Sequence, residues 1–164
     1  MIHILVGDGK GKTTSSIGMS IRAAGHGFKV LFIQFLKDDS SGEVTILRKI
    51  PEITVLHAVN DYGFIFQMTE EQKKKAAREY DRLLDKALQS NAFLIVLDEV
   101  LHALNAGLVS KDRLQKVMQK EVEVVLTGRN APEWILNKAD YYSDVTKIKH
   151  PFDKGVDARI GIEL

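Results

Sequence analysis

The sequence GDGKGKTT occupies residues 7–14, and it is the segment from which the fold of this chain is predicted. It lies between a short apolar run, Ile2–Val6, and a segment of helical character that begins near Thr13. Because glycine has no Cβ, we expect Gly9 and Gly11 to take positive φ angles and to direct backbone N–H groups toward an anion. The N-terminus of the following helix adds its own unpaired N–H groups and its dipole. This segment therefore predicts a phosphate-binding strand, loop and helix.

Two side chains at the end of the loop extend this interpretation. Lys12 supplies a positive charge for a phosphate, and Thr13 supplies a hydroxyl for Mg²⁺. The loop is one residue shorter than the usual G-x-x-x-x-G-K-[ST], since Val6 stands where the first glycine belongs, and it carries an additional lysine, Lys10. We expect the shorter loop to hold phosphates in a different way. A glycine-rich turn that binds no ligand is the alternative.

The composition limits the class of protein. The chain has 164 residues, of which 45% are apolar and 27% are charged, as is typical of a soluble globular protein. We expect one domain, residues 1–164, with a sizeable core. The net charge of +1 argues against a nucleic-acid or membrane partner. The sequence has no cysteine and no apolar run long enough to span a bilayer, and we expect a cytoplasmic protein.

Apolar runs and helical patterns alternate along the chain. Strands are predicted at residues 2–6, 29–35, 53–57, 93–97, 122–126 and 141–148. Helices are predicted at residues 13–24, 43–49, 100–106 and 111–119, with one more after the capping-box pair Thr69 and Gln72 and a short one that begins at Pro132. This alternation predicts an α/β fold, with a mainly parallel sheet and helices on both faces. Ligands of such sheets bind at the carboxyl ends of the strands, where the glycine loop lies.

Charged residues follow two further predicted strands at that same edge. Asp98 and Glu99 come directly after residues 93–97, and Arg129 follows residues 122–126. Carboxylates beside a phosphate loop hold Mg²⁺ directly or through water, and an arginine neutralises polyphosphate charge. The alternatives are a helix N-cap for one of the acids and an ordinary surface arginine at a turn.

The loop after the third predicted strand is rich in aromatic residues. Tyr62, Phe64 and Phe66 lie there beside Gly63. Such rings line pockets for flat ligands, or else they cover a sheet edge or a subunit interface, and composition alone favours the covering role. The sequence offers no recognisable nucleophile, so either a positioned water attacks ATP or the attacking group belongs to a second substrate.

Together these motifs resemble the P-loop type of ATP:corrinoid adenosyltransferase of the cobalamin pathway. The resemblance covers nearly the whole chain. The shortened loop, TGRNAP from Thr127 onward and KHPFDKG from Lys149 onward are highly specific in combination. The other matching motifs are RAAGHG at residues 22–27, QFLK at 34–37, GFIF at 63–66 and VLDEV at 96–100.

The resemblance implies a P-loop NTPase domain with a RecA-like sheet that transfers the 5′-deoxyadenosyl group of ATP to the Co(I) of a corrinoid and releases triphosphate. Cobalt is then the nucleophile, so the protein orients the substrates and stabilises charge. Lys12, Thr13 and Glu99 are the implied catalytic residues, and Thr13, Glu99 and Asp98 the implied Mg²⁺ ligands. The implied ATP-binding residues are Gly7, Asp8, Gly9, Lys10, Gly11, Lys12, Thr13, Thr14 and Arg129.

The resemblance also implies that Gly63, Phe64 and Phe66 bind the corrinoid. The two phenylalanine rings would fill the space below the corrin ring and displace its lower axial ligand, which eases reduction of the cobalt. Two residues depart from the family pattern: position 66 is commonly Trp, and position 8 is commonly a neutral polar residue. Many members carry a segment ahead of the first strand that covers the site; the printed sequence starts at that strand, and we expect a more open site with weaker affinity.

Two other functions stay as alternatives at this stage. One is a P-loop kinase or ATPase that acts at the γ-phosphate, and the other is a non-catalytic protein that binds a corrinoid or a nucleotide. The resemblance further implies a homodimer and a flavoprotein as the source of electrons.

Overall fold

The fold is that of a computed structural model, which describes residues 1–37, 41–60, 62 and 65–162. Strands and helices alternate along these residues, as the sequence predicts. The strands are β1 (Ile2–Val6), β2 (Val30–Gln34), β3 (Ile53–His57), β4 (Leu94–Asp98), β5 (Glu123–Thr127) and β6 (Tyr141–Asp144). The helices are α1 (Lys12–Gly25), α2 (Gly42–Leu47), α3 (Glu70–Gln89), α4 (Val100–Asn105), α5 (Lys111–Met118) and α6 (Glu133–Leu136).

The strands of the described residues form one sheet in the order β3-β2-β4-β5-β1-β6. Every neighbouring pair is parallel. The central strands β2 and β4 are buried along their whole length, because helices cover both of their faces. This arrangement confirms the predicted α/β fold with a parallel sheet.

The two faces of the sheet carry separate apolar cores. One core contains residues of α1 and α2, with Ala24 and Leu47 packed against Phe32 and Val96. The other contains residues of α3, α4, α5 and α6, among them Tyr80. The predicted capping box at the start of α3 is confirmed, since Thr69 and Gln72 each bond to the backbone of the other. Both cores hold the strand ends in fixed positions, which is what a site at the carboxyl edge requires.

Some element ends differ from the prediction, and β6 differs most. It ends at Asp144, whereas the alternating pattern predicted a strand to residue 148. The chain leaves the sheet there because its neighbour β1 ends at Val6, and the carbonyl oxygen of Val145 accepts a bond from Gly9 of the glycine loop instead. Pro132 precedes the first helical residue of α6 instead of being that residue. No helix within the described ranges has both the length and the apolar character needed to cross a bilayer.

Candidate active site at the carboxyl ends of the strands

A cleft of about 670 Å³ lies at the carboxyl edge of the sheet, over the glycine loop. Residues 8–14 line it together with residues from the ends of β2, β4 and β5 and from the C-terminal segment. Its further charged lining residues are Lys37, Glu43, Glu99 and Arg129. The cleft therefore brings together most of the residues predicted to bind ATP.

The glycine loop is shaped by the chain that follows β6. Gly7 and Gly11 have φ angles of +112° and +126°, in the region that favours glycine. A Cβ on Gly7 would lie 2.4 Å from the carbonyl oxygen of Val145, and one on Gly9 would lie 2.6 Å from it. The Gly9 N–H donates to that same oxygen at 2.7 Å. The prediction of a positive φ and an anion-directed N–H at Gly9 is therefore wrong: Gly9 is needed for the close approach of Val145.

Lys12 is held inside the loop. Its ammonium group donates to the carbonyl oxygen of Gly9 at 2.8 Å, and the side chain is only 8% exposed. Burial lowers the pKa of Lys12 from its ordinary value, while the charge of Glu99 opposes that shift. This places a positive charge at the base of the cleft, where an anion of the ligand would be most strongly attracted.

Asp98 is the centre of a buried hydrogen-bond network. It is fully buried, and its Oδ1 accepts bonds from the hydroxyls of Thr13 at 2.9 Å and Thr127 at 2.8 Å. Its Oδ2 accepts a bond from the ammonium of Lys37 at 3.0 Å. These contacts come from α1, β5 and the turn after β2. The N-cap explanation does not hold for Asp98, whose carboxylate bonds to these three side chains.

Glu99 has a different position from its neighbour. It stands at the start of α4 with a φ angle of 60°, and its side chain makes no capping bond. Its N–H donates to the hydroxyl of Thr127 at 2.8 Å, and the carboxylate lines the cleft with His102 3.8 Å away. The left-handed turn thus buries one acid of the pair and directs the next toward the cleft.

Arg129 lines the cleft from the turn after β5. The amide of Asn105 donates to the carbonyl oxygens of Arg129 at 3.2 Å and of Asn130 at 2.8 Å, which fixes this turn against the end of α4. Gly128 permits the contact, because a Cβ there would lie 2.8 Å from that of Leu101. Asn105 was not predicted as a site residue, because its only signal in the sequence is a polar residue at the end of a short helix.

Asp8 and Lys10, the two charged residues of the loop before Lys12, both bond to the C-terminal part of the chain. The carboxylate of Asp8 accepts a bond from the N–H of Lys147 at 2.9 Å, and this bond lowers the pKa of Asp8. Lys10 donates to the carbonyl oxygen of Ile162. The carboxylate at position 8 is therefore bonded to the chain after β6, which gives this acid a structural role in the glycine loop.

The described aromatic residues after β3, Tyr62 and Phe66, lie outside the lining of the cleft. Tyr62 and Ile65 pack against the core, in keeping with the covering role. Phe66 lies in the short 3-10 helix Ile65–Gln67 and is 81% exposed. Gly63 and Phe64, the other two residues predicted to bind the corrinoid, lie outside the described residues.

The donor set at the cleft fits Mg²⁺. The hydroxyl of Thr13 and the carboxylates of Asp98 and Glu99 are hard oxygen donors, which Mg²⁺ prefers. Mg²⁺ commonly uses one or two protein carboxylates and completes its shell with phosphate oxygens and water. No group of three or more His, Asp or Glu side chains suited to a metal ion occurs within the described residues. A metal at this edge would therefore depend on a bound phosphate.

Comparisons with known proteins agree with this chemistry. A family model described as ATP:corrinoid adenosyltransferase BtuR/CobO/CobP matches residues 1–164. The corrinoid adenosyltransferase of Pseudomonas aeruginosa is 34% identical over 164 residues, covering 96% of this chain and 80% of the relative. The corrinoid adenosyltransferase of Escherichia coli is 31% identical over 169 residues, covering 99% of this chain and 85% of the relative. Corrinoid adenosyltransferase CobA of Salmonella typhimurium is 30% identical over 172 residues, with the same two coverages.

Proposed function

The chain belongs to the ATP:corrinoid adenosyltransferase family, and we propose that the cleft described above is where it transfers the adenosyl group of ATP to a corrinoid. The observation that carries this placement is the convergence of four cationic side chains on one cleft: Lys10, Lys12, Lys37 and Arg129. A triphosphate group has several negative charges, and charge builds up on it as it leaves. Preorganised cations that face this charge stabilise the transition state.

In the reaction, one covalent bond forms and one breaks. The Co(I) of the corrinoid supplies an electron pair, a bond forms between cobalt and C5′ of the ribose, and the bond between C5′ and O5′ breaks. Triphosphate leaves with that second electron pair. The protein needs no nucleophile of its own, so its work is to orient the substrates and to balance charge.

The loop residues have distinct roles in this proposal. Lys12 neutralises the phosphate at the base of the cleft, and Lys10 and Arg129 contact the phosphates nearer its mouth. A loop one residue shorter than usual supports binding of ATP with its γ-phosphate innermost and its ribose toward the second substrate. Thr13, Glu99 and Asp98 would hold Mg²⁺, which would neutralise further charge on the triphosphate.

The corrinoid would lie against the aromatic segment after β3. The exposed ring of Phe66 supports this, because Ile65 beside it packs on the core and gives the ring a fixed base. Phe64 and Gly63 are proposed to complete this surface. An apolar layer below the ring would favour loss of the lower axial ligand and so ease reduction of the cobalt.

The remaining parts of the proposal rest on the resemblance alone. We propose a homodimer in the cytoplasm that receives electrons from a flavoprotein. Size-exclusion chromatography with light scattering, at several protein concentrations, tests the dimer directly.

Product analysis tests the function. The protein is incubated without oxygen with ATP, MgCl₂ and chemically reduced cobalamin, and the nucleotide and corrinoid products are separated by chromatography. Equal amounts of triphosphate and adenosylcobalamin are expected. ADP or inorganic phosphate would support a kinase or ATPase instead, and bound corrinoid without product would support a non-catalytic binding protein. When this assay is applied to a variant of a cleft lysine, Lys138→Met is the matched control, because it removes a positive charge from an exposed position away from the cleft.

A further inference from the structure

The turn after β2 places a lysine on the buried carboxylate of the site. The Nζ atom of Lys37 lies 3.0 Å from Oδ2 of Asp98 and 3.3 Å from Oγ1 of Thr13. Asp98 is fully buried, so its charge cannot be balanced by solvent. Lys37 thus supplies the balancing charge for Asp98 and also contacts Thr13, and both of these residues are proposed to hold Mg²⁺.

The backbone of this turn is strained in a way that directs Lys37 to Asp98. Leu36 has a φ angle of 57°, in the left-handed region that is unfavourable for a residue other than glycine. Two bonds hold it: the Phe35 N–H donates to the carbonyl oxygen of Asp98 at 2.9 Å, and the Leu36 N–H donates to the hydroxyl of Tyr80 at 3.1 Å. The fold therefore maintains an unfavourable backbone conformation at Leu36, and this conformation places Lys37 beside Asp98.

We propose that Lys37 is a built-in counter-cation that Mg²⁺ has to displace, an inference that rests on the metal site of the proposed function. Mg²⁺ requires its oxygen ligands at about 2.0–2.1 Å. An ion bound to both Asp98 and Thr13 would occupy the space of the Lys37 ammonium. The two cations therefore exclude each other at this pair of oxygens.

Displacement has a consequence for nucleotide binding. Lys37 also lines the cleft, so its ammonium, once released from Asp98, becomes available to the phosphates of ATP. Arrival of the metal then adds a phosphate contact, and bound phosphates lower the cost of moving the lysine, which stays mainly on Asp98 until the metal arrives. Because such coupling is reciprocal, each ligand strengthens the binding of the other.

The test compares metal affinity in variants of Lys37. Metal-free protein with saturating ATP is titrated with Mn²⁺, a probe for oxygen sites, and free Mn²⁺ is measured by electron paramagnetic resonance with ATP-only samples as the reference. Lys37→Met removes the competing cation, so we expect it to bind Mn²⁺ about tenfold more tightly than the wild type, within the usual range for coupled sites. Lys37→Arg keeps a cation, and Lys138→Met loses one elsewhere; both should bind as the wild type does.

Stability gives a second readout. Asp98 loses its counter-charge in Lys37→Met, so the Tm in EDTA should fall by at least about 5 °C, and MgCl₂ should restore more of it than in the wild type. In the wild-type protein, the ¹³Cε resonance of Lys37 should shift as MgCl₂ is added to the ATP complex, a measurement that does not depend on any variant folding.

Three outcomes would overturn the inference. Equal or weaker Mn²⁺ binding in Lys37→Met would show that the lysine and the metal do not compete. An unchanged Lys37 resonance would show that the lysine stays on Asp98. The Mn²⁺ affinity of the protein–ATP complex could equal that of ATP alone, with no change in Lys37→Met or in Asp98→Asn; the metal site of the proposed function then fails. Normal product formation without competition between lysine and metal would remove only the role of Lys37.

Discussion

Thr127 connects the two acids at the end of β4, and removing its hydroxyl is the sharpest test of the network. The residue is fully buried; it donates to Oδ1 of Asp98 at 2.8 Å and accepts a bond from the Glu99 N–H at 2.8 Å. Valine has nearly the same shape without the hydroxyl. Thr127→Val therefore removes both bonds and deprives the Glu99 N–H of its acceptor.

The size of the effect follows from these two bonds. A hydrogen bond to a charged group contributes about 1.5–3 kcal/mol, and a buried donor left without an acceptor costs about 1–3 kcal/mol. We expect the free energy of unfolding to fall by about 3–5 kcal/mol, since the two effects act at one residue. In a chain of this size that loss lowers the Tm by about 6–20 °C.

Urea unfolding followed by circular dichroism measures this change. The matched control is Thr146→Val, which removes an exposed hydroxyl that lies 3.4 Å from a carboxylate oxygen of Asp144, and should change the free energy of unfolding by less than about 0.5 kcal/mol. A loss below about 1 kcal/mol in Thr127→Val would refute the reasoning, because it would mean that neither bond is maintained in solution.

Three other changes probe separate parts of the molecule. Lys12→Ala should lower kcat by roughly 10²-fold or more, because the leaving triphosphate loses its innermost cation; near-normal formation of adenosylcobalamin would exclude that role. Phe66→Ala should slow the reaction from Co(II) more than the reaction from pre-reduced Co(I), and equal slowing would indicate a packing role. Gly128→Ala should destabilise the fold by about 1–3 kcal/mol, because residue 128 has a φ angle of +144° and the added Cβ would clash with Leu101. Gly18→Ala within α1 places its Cβ in open space and should stabilise the fold by about 0.5–1 kcal/mol. Thermal unfolding of the two variants measures both effects.

Much of the fold and part of the site were predictable from local patterns. Apolar runs bounded by glycine and polar residues gave the strands, and the alternation with helices implied parallel pairing and a site at one edge. The loop, Lys12, Thr13, Glu99 and Arg129 fall at that edge because each lies within a few residues of a strand end. How close a residue lies to a strand end depends only on the neighbouring sequence, so the placement of these residues at the edge could be predicted.

The contacts between distant segments were not predictable. Gly9 was expected to donate toward an anion, but it donates to Val145, which lies far along the chain and beside the loop only because β6 joins β1. The place of Lys37 on Asp98 depends on the positive φ of Leu36, and no local pattern indicates that conformation for a leucine. Such contacts are set by the assembled sheet, and a single sequence carries no direct signal for them.

The hydrogen bonds of Val145 make the conformation of the glycine loop depend on the edge strand β6. Its N–H donates to Val6 at 2.8 Å and its carbonyl accepts from Gly9 at 2.7 Å, just after the exposed outermost strand. Outer strands fray more readily than inner ones. The Gly9 amide is therefore protected from solvent exchange only while β6 remains attached, and a ligand bound along the outer edge of β6 would also hold the glycine loop in its conformation.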